Sequence, residues 1–235
     1  MIIDEMKEML HYKRISTYVN NNRKDDIGIG ILYIVGATIV NIVVSFISVA
    51  GLLSYSMLQS LSGPSSRQIM ATDPFMAMGI DITTYIIMLI IGGVVGFFST
   101  IIGLGVIHYI ASILGGKARI GEYFFIGGKF ILFATIIYMV FAILNLIPCI
   151  QCITAILTLV FAVYAIYLFI VLTSTLYSIS KLRAFAAIIA GGIAQLVVSM
   201  VVLSIIGILT NLPLGIKGIE RMMESYSKMY PTMRA

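Results

Sequence analysis

The feature that most constrains this chain is a series of five long, almost uncharged apolar runs. They cover residues 27–57, 82–114, 122–147, 150–179 and 184–211, and most of the charged residues lie in the stretches outside them. A helix of about 20 residues crosses the roughly 30 Å of bilayer hydrocarbon and satisfies its own backbone hydrogen bonds there. The runs therefore predict five transmembrane helices. Because several have about 30 residues, we expect them to tilt or to extend beyond the hydrocarbon.

The composition supports a membrane environment over a water-soluble fold. Hydrophobic residues make up 60% of the 235 residues, and the mean hydropathy is +1.07, whereas soluble domains are roughly 45–50% apolar. The runs are apolar all round and lack the alternation of a barrel strand. We therefore expect an all-α integral membrane bundle in a lipid bilayer.

The two ends of the chain have the pattern of amphipathic interfacial helices. The opening segment, residues 1–26, spaces apolar residues three and four apart with charged residues between them, and residues 212–235 repeat this pattern. Both segments are expected to rest on lipid or on the bundle, or to dock a protein partner. The opening segment has no uninterrupted apolar stretch, so it does not resemble a cleavable signal.

The chain is predicted to form a single domain. Its five-helix part, residues 27–211, has only one long connection, a loop at residues 60–81 that is rich in Ser, Gly and Pro. The other turns are too short to contain a separate soluble site. Any chemistry would therefore have to come from the helices or their ends.

The distribution of Lys and Arg predicts the orientation of the helices. With a cytoplasmic N-terminus, the inner side holds ten of these residues and the outer side five. The positive-inside rule then predicts a multi-pass protein of the cell membrane with its N-terminus in the cytoplasm and its C-terminus outside. The net charge of +5 reflects this distribution. We expect no nucleic-acid partner, because the chain has no basic face with polar side chains interleaved to contact the bases. The inner turns carry a candidate surface for a protein partner: Lys117, Arg119, Lys181 and Arg183.

Few polar side chains lie inside the predicted helices, where they are costly and normally face protein. Lys129 is close enough to a helix start for its stem to carry the ammonium back to the headgroups. His108 and Lys129 fall at matching depth, so they either share a polar pocket or have separate structural roles, with His108 bonded to a carbonyl or a Tyr hydroxyl. Asn41 and Gln195 either bridge helices or bind a ligand. The candidate intramembrane pocket therefore comprises His108, Lys129, Asn41 and Gln195.

Small residues spaced four apart predict close contact between helices. Such pairs are Gly92 with Gly96, Ser99 with Gly103, Ala187 with Gly191 and Ala190 with Ala194. Small side chains let helix backbones approach in lipid. The pairs predict either packing within the bundle or a homo-oligomer.

The motifs of enzymes and cofactor sites are missing from the sequence. Cys149 and Cys152 form a lone Cys-x-x-Cys in a predicted outer turn, where a disulfide is permitted; a redox pair remains an alternative, and four zinc ligands are not available. The chain has no phosphate-binding loop, nucleophile turn or intramembrane acid pair. We expect a non-enzymatic protein without a metal or cofactor.

Three stretches resemble the Yip1-domain family of polytopic membrane proteins. They are "GGKARIGEYFFIGGKFILFATIIYMV" at residues 115–140, "VYAIYLFIVLTSTLYSISKLRAFAAIIAGGI" at 163–193 and the opening "MKEMLHYKRISTYV" at 6–19. The resemblance implies a five-helix bundle with a cytoplasmic N-terminus, and it links the chain to membrane organisation. The long N-terminal region and the Asp-Leu-Tyr-Gly-Pro stretch of the trafficking branch are missing. Binding to Rab GTPases is therefore not carried over, and the short form resembles archaeal or bacterial members.

Two functions fit these observations. The first is a membrane scaffold or adaptor that binds partners through its basic cytoplasmic surface and its terminal helices. The second is a small transporter, channel or channel subunit with a polar path through the bundle. A scaffold predicts a dry, packed bundle, whereas a transporter predicts a hydrated cavity.

Overall fold

The computed structural model describes residues 2–61, 82–147 and 150–229, with side chains for 4–47, 86–147 and 150–205. Most of these residues are helical, with no strand among them, and the predicted loop at 60–81 lies largely outside them. The helices are α1 (Ile2–Met9), α2 (Ile15–Asn21), α3 (Ile27–Leu61), α4 (Ile82–Ile113), α5 (Ile120–Leu144), α6 (Gln151–Tyr177) and α7 (Lys181–Met229).

Five of these helices are long and apolar enough to cross a membrane, which confirms the predicted all-α multi-pass fold. The candidate spans are Ile27–Ile47, Ile86–Ile113, Ile120–Leu144, Gln151–Tyr177 and Lys181–Ile205. The predicted starts of α5 and α7 fall two or three residues late, because both helices begin inside the polar turns that precede them. Helix α7 continues without interruption past residue 211, where we had expected the C-terminal segment to begin.

The two short basic turns lie side by side at one end of the bundle. The Lys117 amide donates to the Tyr177 carbonyl at 3.3 Å, and the Arg183 guanidinium donates to the Leu114 carbonyl at 3.1 Å. Gly115 has a φ of 96° and Ser178 a φ of 56°. The left-handed conformation of both residues lets the chain reverse within a few positions.

Helices α3 and α5 form the most extensive helix pair and touch at the backbone. A Cβ added to Gly128 would lie 2.6 Å from the Gly30 carbonyl oxygen, and one added to Gly30 would lie 2.5 Å from the Phe124 carbonyl carbon. Real Cβ atoms do not approach that closely. The pair therefore requires glycine at both positions.

Helices α4 and α7 pair through the small residues that the sequence indicates. A Cβ on Gly191 would lie 2.8 Å from the Gly103 carbonyl oxygen, and the Ser199 and Ser99 hydroxyls are 3.0 Å apart. Gly92 and Gly96 differ, since an added Cβ would meet nothing within 4 Å at either position. Two of the predicted small-residue pairs thus pack against each other, and a third borders open space.

The N-terminal segment forms two short helices instead of a single interfacial one. We call residues 2–21 the N-terminal hairpin, in which α1 contacts α2 and α2 packs on α6. Its apolar residues Met9, Ile15, Tyr18 and Val19 are buried as part of the hydrophobic core of the bundle. The apolar face, which predicted a helix resting on lipid or on the bundle, therefore packs on the bundle.

The glycine contact between α3 and α5 can be tested by adding one methyl group. Gly128→Ala should lower the stability of the bundle by about 1–3 kcal/mol, because the new Cβ would push two backbones apart. The measurement is unfolding by SDS in mixed micelles. Gly105→Ala is the matched control, since its Cβ would meet nothing within 4 Å. Equal loss of stability in both variants would contradict the close contact.

Candidate functional site

Lys129 is buried within the bundle and has an acidic partner. Its side chain in α5 is 10% exposed, and its Nζ lies 2.5 Å from a carboxylate oxygen of Glu5 in α1. The ammonium is also 5.6 to 6.0 Å from the ring centroids of four aromatic residues, within the range of cation–π attraction. These are Tyr18, Tyr33, Phe125 and Phe133.

The expectation that Lys129 snorkels to the headgroups is therefore replaced by an internal ion pair. Lys129 lies nine residues after Ile120, about 14 Å along α5. The N-terminal hairpin brings Glu5 to that depth, so the ammonium does not need to reach the surface. Sequence reasoning missed Glu5 because it lies 124 residues away, in a segment assigned to the interface.

Other polar contacts hold the N-terminal hairpin against the bundle. The Tyr164 hydroxyl in α6 donates to the Leu10 carbonyl at 2.8 Å, and the Arg23 guanidinium donates to the Thr175 carbonyl at 3.3 Å. Burial raises the pKa of the Tyr18 phenol, and the nearby Lys129 partly opposes this effect. Tyr18 is therefore neutral, and it contributes its ring face to the ammonium.

His108 has a separate polar partner near the basic turns. Its Nδ1 lies 2.6 Å from the Tyr177 hydroxyl, and the two rings are tilted with centroids 5.8 Å apart. Of the contacts described for His108 and Lys129, none joins the two. The predicted four-residue pocket is thus divided in the structure, because His108 contacts the Tyr177 hydroxyl and Lys129 pairs with Glu5.

Asn41 and Gln195, the other two candidates, line two cavities in common. The first cavity, about 480 Å³, lies among α3, α4, α5 and α7. The second, about 410 Å³, lies mainly among α4, α5, α6 and α7. The residues lining both are Asn41, Thr100, Ile131 and Gln195. We call these four the junction.

The junction lies at a single depth in the bundle. Asn41 is 14 residues after the start of α3, and Gln195 is 14 residues after the start of α7. Thr100 is 13 residues before the end of α4. At 1.5 Å per residue each lies about 20 Å from the end of the bundle that carries the basic turns. That distance is near the middle of a membrane span.

The amides at the junction are poorly satisfied by the protein. Both side chains are exposed. Gln195 Nε2 is 3.5 Å from the Thr100 hydroxyl, the outer limit for a hydrogen bond, and the Asn41 amide makes none with the described residues. The Thr100 hydroxyl donates to the Gly96 carbonyl of its own helix at 2.8 Å. The two amides can therefore bind water or a ligand.

Most of the predicted basic surface is engaged within the chain. Arg119 pairs with Asp25 at 3.2 Å, and the Lys181 ammonium lies 5.8 Å from the Tyr167 ring centroid. Arg183 caps the carbonyl of Leu114, as described above. Lys117 is exposed. These contacts tie the turns to their neighbours, and the four basic side chains remain exposed.

The cysteine motif is only partly described. Cys152 is exposed near the start of α6, and Cys149 lies outside the described residues, so the disulfide stays a prediction. Within the described part of the chain, no cluster of three or more His, Cys, Asp and Glu residues could hold a metal ion.

Comparisons of the chain with protein-family models, with curated proteins and with solved structures gave no match. The resemblance to Yip1-domain proteins therefore stays a prediction, and the argument for function depends on the geometry of the bundle.

The ion pair between the hairpin and α5 gives a direct test of how the hairpin is held. Glu5→Gln removes the negative charge that pairs with the Lys129 ammonium, and backbone amides of α2 should exchange with solvent about tenfold faster or more. Hydrogen exchange followed by mass spectrometry measures this rate.

Glu8→Gln is the matched control, because Glu8 lies in the same helix, is exposed and makes no ion pair with the described residues. Unchanged protection of α2 in Glu5→Gln would show that the pair does not hold the hairpin.

Proposed function

We propose that this protein binds a small uncharged molecule inside its transmembrane bundle, as a transporter, channel or channel subunit does. The observation that carries the proposal is the junction. Two side-chain amides, Asn41 and Gln195, lie at mid-depth and line two cavities, and their one hydrogen bond with the described residues is the long contact of Gln195 to Thr100 at 3.5 Å. The proposal assigns no reaction to the chain.

A side-chain amide without a hydrogen-bond partner is costly in a membrane span. Transfer of an amide from water into a medium that cannot form hydrogen bonds costs roughly 4–8 kcal/mol. In a bundle that only had to pack, Asn41 and Gln195 would be hydrogen-bonded to other protein groups, or apolar residues would stand in their place. Both side chains are exposed and line these partly open cavities, where a polar occupant, water or ligand, would satisfy them.

The scaffold hypothesis draws less support from this geometry. It requires a dry bundle, and two cavities of several hundred Å³, both partly open to the outside, lie among the described helices. It also requires a basic surface; all four residues are exposed, although Arg119, Lys181 and Arg183 also have partners within the chain. Lys117 alone among the four is exposed without such a contact to its side chain in the described part of the chain.

The proposal includes an orientation with the N-terminus in the cytoplasm. The basic turns and Arg23, which follows the N-terminal hairpin, lie at the same end of the bundle, so the positive-inside rule applies to that end as one surface. An odd number of spans then leaves the C-terminus outside.

Cysteine labelling of intact cells tests this orientation. In a background of Cys149→Ser and Cys152→Ser, a membrane-impermeant maleimide should leave Lys117→Cys unmodified and should label Ser66→Cys. Lys117 is the suitable inner position because its neighbour Ala118 is buried. The opposite pattern of labelling would reverse the assignment.

Hydration of the junction is the second test. In the same background, Asn41→Cys in proteoliposomes should react with N-ethylmaleimide at least about tenfold faster than Ile39→Cys, because a thiol ionises to its reactive form only where water reaches it. Ile39 is the matched control: it is on the same helix, is 57% exposed and lines neither cavity. Equally slow reaction at both positions would contradict a hydrated junction.

A further inference from the structure

The cavities also constrain the chemistry of the occupant. None of the described residues that line either cavity carries a charge. A permanently charged group in a low-dielectric site without a counter-charge is strongly unfavourable. The site therefore selects against ions and zwitterions.

The walls on both sides of the junction are mainly apolar. The second cavity is bordered by Phe130 and Phe169, whose rings stack with centroids 5.4 Å apart, and by Tyr138. Leu104, Ile107 and other aliphatic or small residues complete its wall. Such a wall suits a hydrocarbon chain better than a sugar or a polyol, which would leave several hydroxyls without partners.

The first cavity has room along α4. Gly92 and Gly96 line it, and an added Cβ would meet nothing within 4 Å at either position. On the opposite wall, Thr38 and Ser45 donate to carbonyls of their own helix α3, which leaves only acceptor capacity on their hydroxyls. The donors offered at the junction are therefore the amides of Asn41 and Gln195.

We propose that the occupant is an uncharged amphiphile, such as a long-chain alcohol, ester or amide. Its single polar group accepts hydrogen bonds from Asn41 and Gln195 at the junction, and its hydrocarbon lies in the flanking cavities. Each cavity falls within the roughly 300–1,000 Å³ range of small-molecule sites. This inference rests on the proposed function, because it names the class of molecule that the same site binds.

Photolabelling in proteoliposomes tests the class of ligand. The probes are a C16 alcohol, a C16 alkyl sulfate and a C16 hydrocarbon, each with a diazirine at the same chain position. In the wild-type chain the alcohol should label residues that line the cavities, as mapped by mass spectrometry. The sulfate should label only residues at the outer surface, such as Leu159 and Leu182, which are 67% and 77% exposed. The hydrocarbon, which cannot bond to the amides, should label the cavities about tenfold less than the alcohol does.

Substitution of the amides provides the second readout. The double variant Asn41→Leu and Gln195→Leu should reduce cavity labelling by the alcohol about tenfold, because two neutral hydrogen bonds are lost. Asn145→Leu is the matched control, since it removes an exposed amide that lines neither cavity. The proposal would be overturned if, in the wild-type chain, the sulfate labelled the cavities as strongly as the alcohol. This outcome does not depend on whether the variants fold. Undiminished labelling of a folded double variant would also overturn the proposal.

The two proposals fail in different ways. If the cysteine at position 41 reacts fast and the alcohol does not label the cavities, the site is hydrated but takes a more polar molecule, and only the class of ligand is wrong. If that cysteine reacts as slowly as the one at position 39, both proposals fail.

Discussion

The structure depends on one physical constraint: a polar group in a hydrocarbon solvent must find a partner or be expelled. Two responses to this constraint occur in the chain. Lys129 has Glu5 and a set of aromatic faces, and His108 has the Tyr177 hydroxyl. Asn41 and Gln195 face cavities instead. The contrast separates polar residues that stabilise the fold from those that remain available for binding.

The first response explains the position of the N-terminal hairpin. A lysine about 14 Å inside α5 needs a counter-charge, and α1 supplies it with a segment whose apolar face also covers α6. The same segment is anchored by Tyr164 and Arg23. A segment whose sequence indicates a surface helix thus contributes Met9, Ile15, Tyr18 and Val19 to the core.

The helices were predictable because lipid imposes length and apolarity on each one independently, whereas the site depends on contacts between distant residues. Small-residue spacing indicated Gly103 and Gly191, but nothing local revealed that Gly30 and Gly128 touch. Matching depth suggested that His108 and Lys129 share a pocket; depth alone does not fix the direction in which a side chain points around its helix. Asn41 and Gln195 were identifiable as intramembrane amides, and their meeting at two cavities required the packing of four helices.

The central claim is that the amides of Asn41 and Gln195 are solvated inside the bundle. Solid-state NMR of the chain in bilayers, with ¹⁵N-labelled Asn and Gln, measures which protons transfer magnetisation to each side-chain amide, and the Asn41→Leu and Gln195→Leu variants assign the signals. The account predicts transfer to both amides from water or from a ligand hydroxyl. Transfer from lipid acyl chains alone would contradict it.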